Sequence, residues 1–592
     1  MRHTGAVLVA LFIGSYASAQ PAPADRGALF GELHIHTGWS FDAYVFNVRA
    51  TPDDAYNFAK GMPLDHPVGG TYQISRPLDF MAVTDHAIYM GVMAKMADPD
   101  HALSKHPLAE IVNDPAQHVM DKALLQIVQS SRAGTPIDGL TSPEVQQETW
   151  DQIVAAANRH NDPGTFTALI GDEWTSTPDG QNLHRNVIFR GDDAPVPFSR
   201  FDSDRPEDLW KWLDEIRANG HEALAIPHNS NLSDGRMFER EDRRDQPFTA
   251  EYAETRMRNE PLVEVTQVKG TSETHPLLSP NDEFADFEIV EQRVASNQAV
   301  TNFAGSYVRE AYLTGLEFQD TKGFNPYKFG LVAASDSHTG IVPVEEDSYS
   351  GKVGSRDGSP ELRLQADSAT MDLRFFSASG LTGVWAEENT LASSYDGARR
   401  NQTWGSAGPR IKVRFFGGFD LNVQPGAKGW VEAAYAQGVP MGGTLMPSDT
   451  VPAPTFAVWA LKDPDGANLD RIQIVKGWSE NGEAQEKIYD AVWSGDRKPD
   501  AETGKLPAVG NTVDMETLEY ENSIGAVELQ GTWTDPDFNA EQNAFYYVRV
   551  IEIPTPRWSL FDAKALGIES PPELKKTIQE RAYTSPIWYE HH

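Results

Sequence analysis

The 592-residue sequence contains no cysteine, which excludes disulfide bonds, thiolate metal ligands and cysteine nucleophiles. Past the N-terminus, no stretch approaches the ~20 consecutive apolar residues of a membrane-spanning helix, so no membrane span is expected. Basic residues are also few. The 50 Lys and Arg face 86 Asp and Glu, giving a formal net charge of −36. This charge argues against nucleic-acid partners and disfavours a nuclease or proofreading role, because protein and phosphate backbone would repel each other.

The N-terminus has the pattern of a secretory signal. Arg2 and His3 precede an apolar stretch at 6–14, and the small residues 17–19 form a cleavage pattern before Gln20. The apolar stretch is too short to span a bilayer stably. We therefore predict a signal peptide over residues 1–19, cleaved after Ala19, and a periplasmic or secreted mature protein.

Seven short apolar runs shape the next part of the chain, and six of them carry histidines or acids at one end. Runs of this length predict strands buried on both faces. Helical segments alternate with them, which favours a mainly parallel sheet, closed or nearly closed. Ligand-type side chains at the carboxyl ends of such strands are where a β/α barrel builds its active site. The runs are 32–36, 80–86, 168–173, 185–189 (opened by His184), 223–228, 262–266 and 331–338.

Helix-start signals occur between these runs. Thr51 followed by Pro52 predicts one helix that stops near Gly61, and Ser142 followed by Pro143 predicts another. A third is expected at 205–220. Residues 87–165 are polar and helical and interrupt the alternation. This insertion is either a lid or substrate wall, or a surface decoration.

The character of the sequence changes after about residue 410. Runs at 455–460, 471–475 and 544–551 read as strands separated by turns. We expect a barrel domain over 31–405 and a smaller β-rich subdomain over 410–592. Residues 463–468 resemble the start of a calcium loop, but Ile474 occupies the position that needs a bidentate Glu, so a turn is favoured.

Metal-ligand side chains recur at the ends of the predicted strands. His34 and His36 are two residues apart, so on a strand they point to the same side and can grip one ion. A polynuclear site is the leading hypothesis, and imidazole and carboxylate ligands without sulfur suit divalent Zn, Mn or Fe. The other strand-end candidates are His86, Glu173, His184, His228, Asp336 and His338.

In their order along the chain, these motifs resemble the polymerase-and-histidinol-phosphatase (PHP) superfamily of metal-dependent phosphoesterases. The chain also looks like an exported bacterial family of unknown function within it, domain of unknown function 3604, over nearly the whole mature sequence. The motifs are His34-x-His36, Thr84-Asp85-His86, Gly171-x-Glu173, His184, Pro227-His228 and Ser335-Asp336-Ser337-His338.

The resemblance implies a distorted seven-stranded β/α barrel that holds two or three metal ions. Glu173 would bridge two of them. The implied ligand sets are His34, His36, Glu173 and Asp336 for one ion, Glu173, His184 and His228 for the second, and Asp42, His86 and His338 for the third.

Other residues are candidates for catalysis or substrate binding. Asp85 adjoins His86 and could orient an imidazole, take a proton or make a structural hydrogen bond. Arg185 is a catalytic candidate beside His184, although alternation on a strand turns it to the other side. Substrate contacts are assigned to Asn229, Lys269 and His275, for which a turn or a solvated loop is the alternative.

Two classes of function remain open from the sequence. The first is a metal-dependent hydrolase acting on a small anionic ester, most simply a phosphate mono- or diester, with a sulfatase or another ester hydrolase as the alternative. The second is a non-catalytic metal- or glycan-binding protein that keeps the barrel. Turnover of an ester panel would separate the two.

Overall fold

The computed structural model describes residues 23–294, 298–366, 371–377, 379–448 and 453–591. The expected signal peptide at 1–19 lies outside these residues. Of the helices within the described ranges, none has both the length and the apolar character needed to cross a membrane.

A strand is present on each of the seven predicted runs. All residues of the second to seventh strands are buried, as expected for strands covered on both faces. The strands are β1 (Gly27–Ile35), β2 (Phe80–Val83), β3 (Thr167–Trp174), β4 (Arg185–Phe189), β5 (Ala223–Pro227), β6 (Leu262–Glu264) and β7 (Gly330–Val332).

The sheet is mixed, which corrects the expectation of a mainly parallel one. β1, β2 and β3 are parallel, but β4 is antiparallel to both β3 and β5. The reason is the connection between β3 and β4, residues 175–184, which is too short for the helical crossover that parallel neighbours need. The reversal brings the N-terminal end of β4, which carries His184, to the edge where β1, β2 and β3 end.

β7 returns to the start of this arc. β6 and β7 pair in parallel, and the chain after β7 meets β1 through an isolated bridge between Ser337 and Ile35. No ladder of the described residues joins β5 to β6, so a closed seven-stranded barrel is not shown. Side chains from all seven strands nevertheless meet in one apolar cluster: Leu33, Phe80, Ala82, Leu169, Ile188, Leu224, Ile226, Leu262 and Val332.

The same sheet continues into the C-terminal part of the chain. β1 also pairs with β8, and pairing then runs through β9 to β16, β15 and β12, giving a 13-stranded mixed sheet. A separate four-stranded sheet contains β10, β11 and β14. These strands are β8 (Leu381–Ala386), β9 (Thr403–Ser406), β10 (Lys412–Gly418), β11 (Thr455–Leu461), β12 (Leu469–Glu480), β13 (Glu483–Trp493), β14 (Glu528–Thr534), β15 (Ala544–Glu552), β16 (Arg581–Thr584) and β17 (Ile587–Tyr589).

The described residues also contain two-residue strands, some of which extend these sheets. They are Leu64–Asp65, Thr71–Tyr72, Thr266–Gln267, Gly270–Thr271, Val439–Pro440, Thr444–Leu445, Thr555–Pro556 and Thr577–Ile578.

The helices include the three whose starts the sequence marks. The second has the full capping box of Thr51 and Asp54, and the sixth begins at Pro143 after the Ser142 cap. The helices are α1 (Phe41–Val45), α2 (Pro52–Ala59), α3 (Val92–Ala97), α4 (Pro107–Val112), α5 (Gln117–Ala133), α6 (Pro143–His160), α7 (Pro206–Ala218), α8 (Ala250–Asn259), α9 (Val308–Lys322), α10 (Pro360–Arg363), α11 (Leu391–Arg399), α12 (Trp430–Gln437) and α13 (Trp558–Leu566).

Residues 87–165 contain the helices α3 to α6. Much of this segment packs around an apolar cluster of its own, which includes Met93, Leu108, Val112 and Ile127 and also takes in Phe41 and Tyr44 of α1. Because α1 directly follows the His34-x-His36 motif, the insertion packs beside the predicted ligands.

Candidate metal centre

A bulge in β1 aims the first two histidines. Glu32 pairs with Met81 and Ile35 pairs with Val83, so β1 has one residue more than β2 between these points. The extra residue is a β-bulge, which bends a strand and changes the direction of its side chains. Leu33 joins the interior apolar cluster, while the rings of His34 and His36 lie beside each other with centroids 5.2 Å apart.

Glu173 lies at the middle of the cluster. Its Oε2 is 3.6 Å from His34 Nε2 and 3.1 Å from His36 Nε2. Its Oε1 is 2.6 Å from His184 Nδ1 and 3.5 Å from His228 Nε2. Oε2 is also 3.2 Å from His86 Nδ1. The two oxygens thus face different groups of imidazoles, the geometry of a carboxylate that can bridge two ions.

Asp336 completes the group around His34 and His36. Its Oδ1 is 3.4 Å from His34 Nε2 and 3.5 Å from His36 Nε2. Its backbone is left-handed, with φ of 54°, a conformation that Asp tolerates better than most residues. Its amide donates to the His34 carbonyl at 2.7 Å, which ties the chain after β7 to β1.

A third group lies on the side of α1. Asp42 Oδ2 is 2.9 Å from His338 Nε2 and 3.3 Å from His86 Nε2. The ring of His36 stacks near both imidazoles, with centroids 4.1 Å from His338 and 4.5 Å from His86. All nine sequence-predicted ligand residues are therefore brought together in one cluster, in which every side chain is buried except the partly exposed Asp42.

The donor atoms fit divalent metal ions. His34 Nε2, His36 Nε2 and both ring nitrogens of His228 are buried and have no hydrogen-bond partner among the described residues. Buried polar atoms left unpaired are costly, and here they converge on the carboxylates of Glu173 and Asp336 without alignment for hydrogen bonding. Four sets of three donor atoms lie close enough to hold an ion: His36, His86 and His338; His34, His36 and Asp336; His34, His228 and Glu264; and Glu173, His184 and His228.

The protonation states suit ligation on most of the cluster. Burial lowers the pKa of His184 to about 4 and the pKa of His338 to about 3. Burial also holds the pKa of His34 well below its usual range. Neutral imidazoles are the forms that bind metal near pH 7.

His86 and Glu173 behave differently. Burial favours neutral His86, but the carboxylates of Glu173 and Asp42 raise its pKa to about 10. Burial works against ionised Glu173, yet the imidazoles of His86 and His184 hold its pKa well below the usual range. An ion bound at His86 must therefore displace a proton, whereas Glu173 is already a carboxylate.

Two residues of the cluster escaped sequence reasoning. Glu264 Oε2 lies 2.9 Å from His34 Nδ1. Lys352 Nζ lies 2.9 Å from Asp336 Oδ1 and 2.7 Å from His338 Nδ1. Glu264 ends β6, so the strand-end rule could have found it. Lys352 lies on a loop fourteen positions after His338, where no local signal marks it.

Asp85 supports the loop that follows β1. It accepts hydrogen bonds from the Thr37 amide and hydroxyl, both at 2.7 Å, and from the Ser40 hydroxyl at 2.9 Å. Ser40 Oγ in turn lies 2.9 Å from His36 Nδ1. Asp85 therefore reaches the cluster through Ser40, which orients the His36 ring.

Arg185 and His275 are not brought to the cluster. Strand alternation turns Arg185 away from His184, and its Nε donates to the buried Glu260 at 2.8 Å. His275 Nε2 lies 2.8 Å from Glu291 Oε1, and its ring stacks on Phe303. Both side chains have structural partners in place of the substrate contacts that we expected.

Lys269 and Asn229 do reach the cluster. Lys269 Nζ contacts Asp336 Oδ2 and donates to Asn229 Oδ1 at 2.7 Å. The Asn229 amide nitrogen is buried and has no hydrogen-bond partner in the described part of the chain. Asn186, paired with Glu173 across the antiparallel strands, likewise has no partner there for either side-chain polar atom.

A cavity of about 620 Å³ adjoins this centre. Thr177 lines it, and Thr177 Oγ1 lies 2.8 Å from Nε2 of His184. Three arginines also line it: Arg132 of α5, Arg200 and Arg293. The insertion thus forms one wall of the cavity beside the cluster. Asp179 and Asp204 also line this cavity, so its charge is only partly positive.

Fold and site together define a mixed α/β protein with a buried His, Asp and Glu cluster able to hold metal ions. The chain belongs to the family described as "Protein of unknown function (DUF3604)", whose model matches residues 23–591. No curated protein matches the sequence.

A distant structural similarity was found to the crystal structure of a two-domain protein containing a predicted PHP-like metal-dependent phosphoesterase, from Bacteroides vulgatus ATCC 8482. The two share 11% sequence identity, over 80% of this chain and 87% of that chain, with a TM-score of 0.29.

Proposed function

We propose that this protein is a metal-dependent hydrolase of small anionic esters, with phosphate mono- or diesters as its main substrates. The observation that carries the proposal is Glu173, whose two oxygens face different groups of buried imidazoles. Divalent transition-metal ions held there, such as Zn, Mn or Fe, would lower the pKa of a bound water towards ~7 and supply hydroxide for hydrolysis.

Three sets of this chain's residues would hold two or three such ions. In this proposal the seven strands form a distorted barrel of the PHP type, and the ions lie at the strand ends. The sets are His34, His36, Glu173 and Asp336; Glu173, His184 and His228; and Asp42, His86 and His338.

Positive charge at the cluster supports an anionic substrate. Lys269 and Lys352 lie against Asp336, where they hold its pKa well below the usual range against the effect of burial. Ammonium groups and amide donors in a buried site stabilise negative charge that develops on ester oxygens. The amide nitrogen of Asn229, which has no hydrogen-bond partner among the described residues, supplies such a donor.

The arginine-lined cavity beside His184 gives room for the rest of the ester. Its cations suit phosphate and sulfate esters alike, so a sulfatase is the second candidate. Arg200 and Arg293 also form ion pairs with Asp204 and Asp234, and a neutral carboxylic ester would add no partner for these cations. A metal- or glycan-binding protein without turnover remains the alternative of a different class.

The proposal is tested with the purified mature chain after metal supplementation. We expect two or three transition-metal ions per chain and hydrolysis of p-nitrophenyl phosphate or its bis ester. The metal content and the rate of hydrolysis should both fall in His228→Ala. Both should persist in His221→Ala, a matched histidine variant outside the cluster. Less than one ion per chain would overturn the enzyme proposal, and bound metal without turnover of phosphate, sulfate or carboxylate esters would favour the binding protein.

We also propose export to the periplasm or beyond. The support is the signal-peptide pattern at 1–19. Determining the N-terminal residue of the mature protein tests it, with Gln20 as the expected result and an uncleaved Met1 as the contrary one.

A further inference from the structure

A second cavity, of about 690 Å³, is lined by none of the predicted metal ligands. Its wall is built from the loop after β7 at 344–347, the turn after β11 at 463–467, the segment 517–520, and residues at the ends of β15 and β16. This volume is typical of sites that enclose a small molecule.

Two deeply buried carboxyl groups line the cavity. Glu552 is 1% exposed and Glu580 is 4% exposed. Glu552 Oε1 and Glu580 Oε2 are shielded from solvent and have no hydrogen-bond partner in the described ranges. A buried acceptor left unpaired costs free energy, so oxygens of this kind in a cavity wall point to a ligand that pairs with them.

The neighbouring cations already have other partners. Arg557 holds Glu288, with 2.7 Å between Nη2 and Oε2. The Asp463 carboxylate forms an ion pair with Arg76. The Arg410 guanidinium donates to the carbonyls of Pro77 and Arg76, and Lys462 Nζ donates to the Gly466 carbonyl. Within the described chain, no Arg or Lys side chain forms an ion pair with Glu552 or Glu580. Glu552 also accepts a hydrogen bond from the Ala467 amide, and Glu580 shares one with the Glu346 carboxyl. Among the described residues, one oxygen of each of the two carboxyl groups is therefore left for a cation from outside.

The electrostatics agree with this conclusion. Burial, together with Glu346 and Glu552, raises the pKa of Glu580 well above its usual value. Burial and Asp463 do the same to the pKa of Glu552. Such groups hold protons until another positive charge replaces them.

An inorganic ion does not fit the cavity. No three carboxylate or imidazole atoms of its described residues come close enough together to share one ion, whereas Ca²⁺ takes six to eight oxygens. The motif at 463–468 that resembles a calcium loop forms a turn in the wall, and the amide of Asp465 donates to Asp463 Oδ1 at 3.1 Å.

The rest of the wall suits an organic body. Tyr520 presents an aromatic ring near the acids, and such rings attract ammonium groups. Leu518 is 5% exposed and has a left-handed backbone with φ of 64°. Its amide donates to the Asp514 carbonyl at 2.8 Å, which holds it in this costly conformation at the cavity.

We propose that this cavity binds a small organic cation, a primary amine with an apolar body. The ammonium group pairs with Glu552 and Glu580, and the body packs on Leu518 and Tyr520. The site is separate from the metal centre and does not depend on the hydrolase proposal.

Isothermal titration calorimetry on the full mature chain tests the proposal with benzylamine, tyramine and cadaverine. We expect saturable 1:1 binding of at least one amine. Benzyl alcohol, the neutral analogue of benzylamine, should bind roughly tenfold more weakly or worse, because it lacks the charge that pairs with the carboxylates. Failure of all three amines to bind, or equal binding of the amine and the alcohol, overturns the proposal.

Variants identify the site. Glu552→Gln should weaken amine binding roughly tenfold or more, and Glu516→Gln, an exposed acid on the neighbouring loop that does not line the cavity, should leave it unchanged. Tyr520→Leu should also weaken it, which gives a second readout if Glu552→Gln does not fold. Unchanged affinity in both cavity variants, or binding of Ca²⁺ that Glu552→Gln abolishes, would refute the inference.

Discussion

Oε2 of Glu264 lies 2.9 Å from Nδ1 of His34, and both side chains are buried. When Nδ1 carries the ring proton, this hydrogen bond fixes the tautomer and leaves Nε2 of His34 free to face Glu173 and Asp336. Partners of this kind orient a metal-binding histidine and raise its basicity. Glu264 therefore orients the ligand His34, although it is not one of the residues of the sequence motifs.

The first prediction concerns this pair. Glu264→Gln should lower metal affinity by about 10- to 100-fold, because the amide is a poorer acceptor for the imidazole N–H. Competition with a chelator, followed by elemental analysis, measures the change. Glu254→Gln, at an exposed acid of α8, is the charge-matched control and should leave the affinity alone. Equal affinities in the two variants would show that Glu264 does not support His34.

The second prediction separates the third ion from the other two. Asp42→Asn removes the carboxylate between His86 and His338 but leaves Glu173 and its five imidazole neighbours in place. We expect metal content to fall by one ion per chain at most. His228→Ala should cost more, because it strips a donor from the central pair. Loss of all ions in Asp42→Asn would contradict separate sites.

The third prediction concerns the role of Asp85. Because Asp85 acts on His36 through Ser40, Asp85→Asn should reduce kcat/KM by about 10- to 100-fold without changing the shape of its pH profile. A proton-transferring carboxylate would instead remove one limb of that profile. The pH dependence of p-nitrophenyl phosphate hydrolysis in wild type and variant decides between these roles.

The fourth prediction concerns stability. Asp282 is buried between Arg549, whose Nη2 donates at 2.7 Å, and Arg309, whose Nη2 lies 2.9 Å away. This network ties α9 to β15. Asp282→Asn should lower the free energy of unfolding by about 3–5 kcal/mol at pH 7, because the buried Glu273 would then be left to balance both guanidinium groups. Urea unfolding measures it, with exposed Asp286→Asn as the control.

The same network predicts a direction of pH dependence. Burial opposes ionisation, yet Arg549 and Arg309 hold the pKa of Asp282 well below its usual value. The folded state thus binds fewer protons than the unfolded chain, so this contribution is complete well above pH ~3.9 and is lost as the pH falls below it. The difference between wild type and Asp282→Asn should shrink at pH 3.5. An undiminished difference there would contradict this assignment.

The sequence predicts those features that depend on one type of side chain, namely the apolar strands and the metal-ligand residues at their ends. The seven strands could be predicted because burial on both faces makes each a continuous apolar run, and the ligand residues mark their ends. The reversed direction of β4 could not be read from its apolar residues, since these look alike in parallel and antiparallel strands. It followed from the length of the connection after Trp174.

The partners of the ligands were harder to predict. Lys352 and Asp336 are sixteen residues apart, and only the path of the loop after His338 brings them together. The contacts of Arg185 with Glu260 and of His275 with Glu291 likewise depend on tertiary packing. The sequence around a polar residue beside a motif does not indicate whether its side chain faces the cluster or a structural partner.

The 13-stranded sheet passes through β1, β8, β9 and β16 without interruption. The strand that presents His34 is thus linked by backbone hydrogen bonds, through β8 and β9, to β16, which lies far along the chain. A chain cut after residue 406 would leave β9 as a bare edge, open to pairing with other molecules. The metal centre therefore gains part of its backbone support from β16, a strand that follows every ligand residue in the sequence.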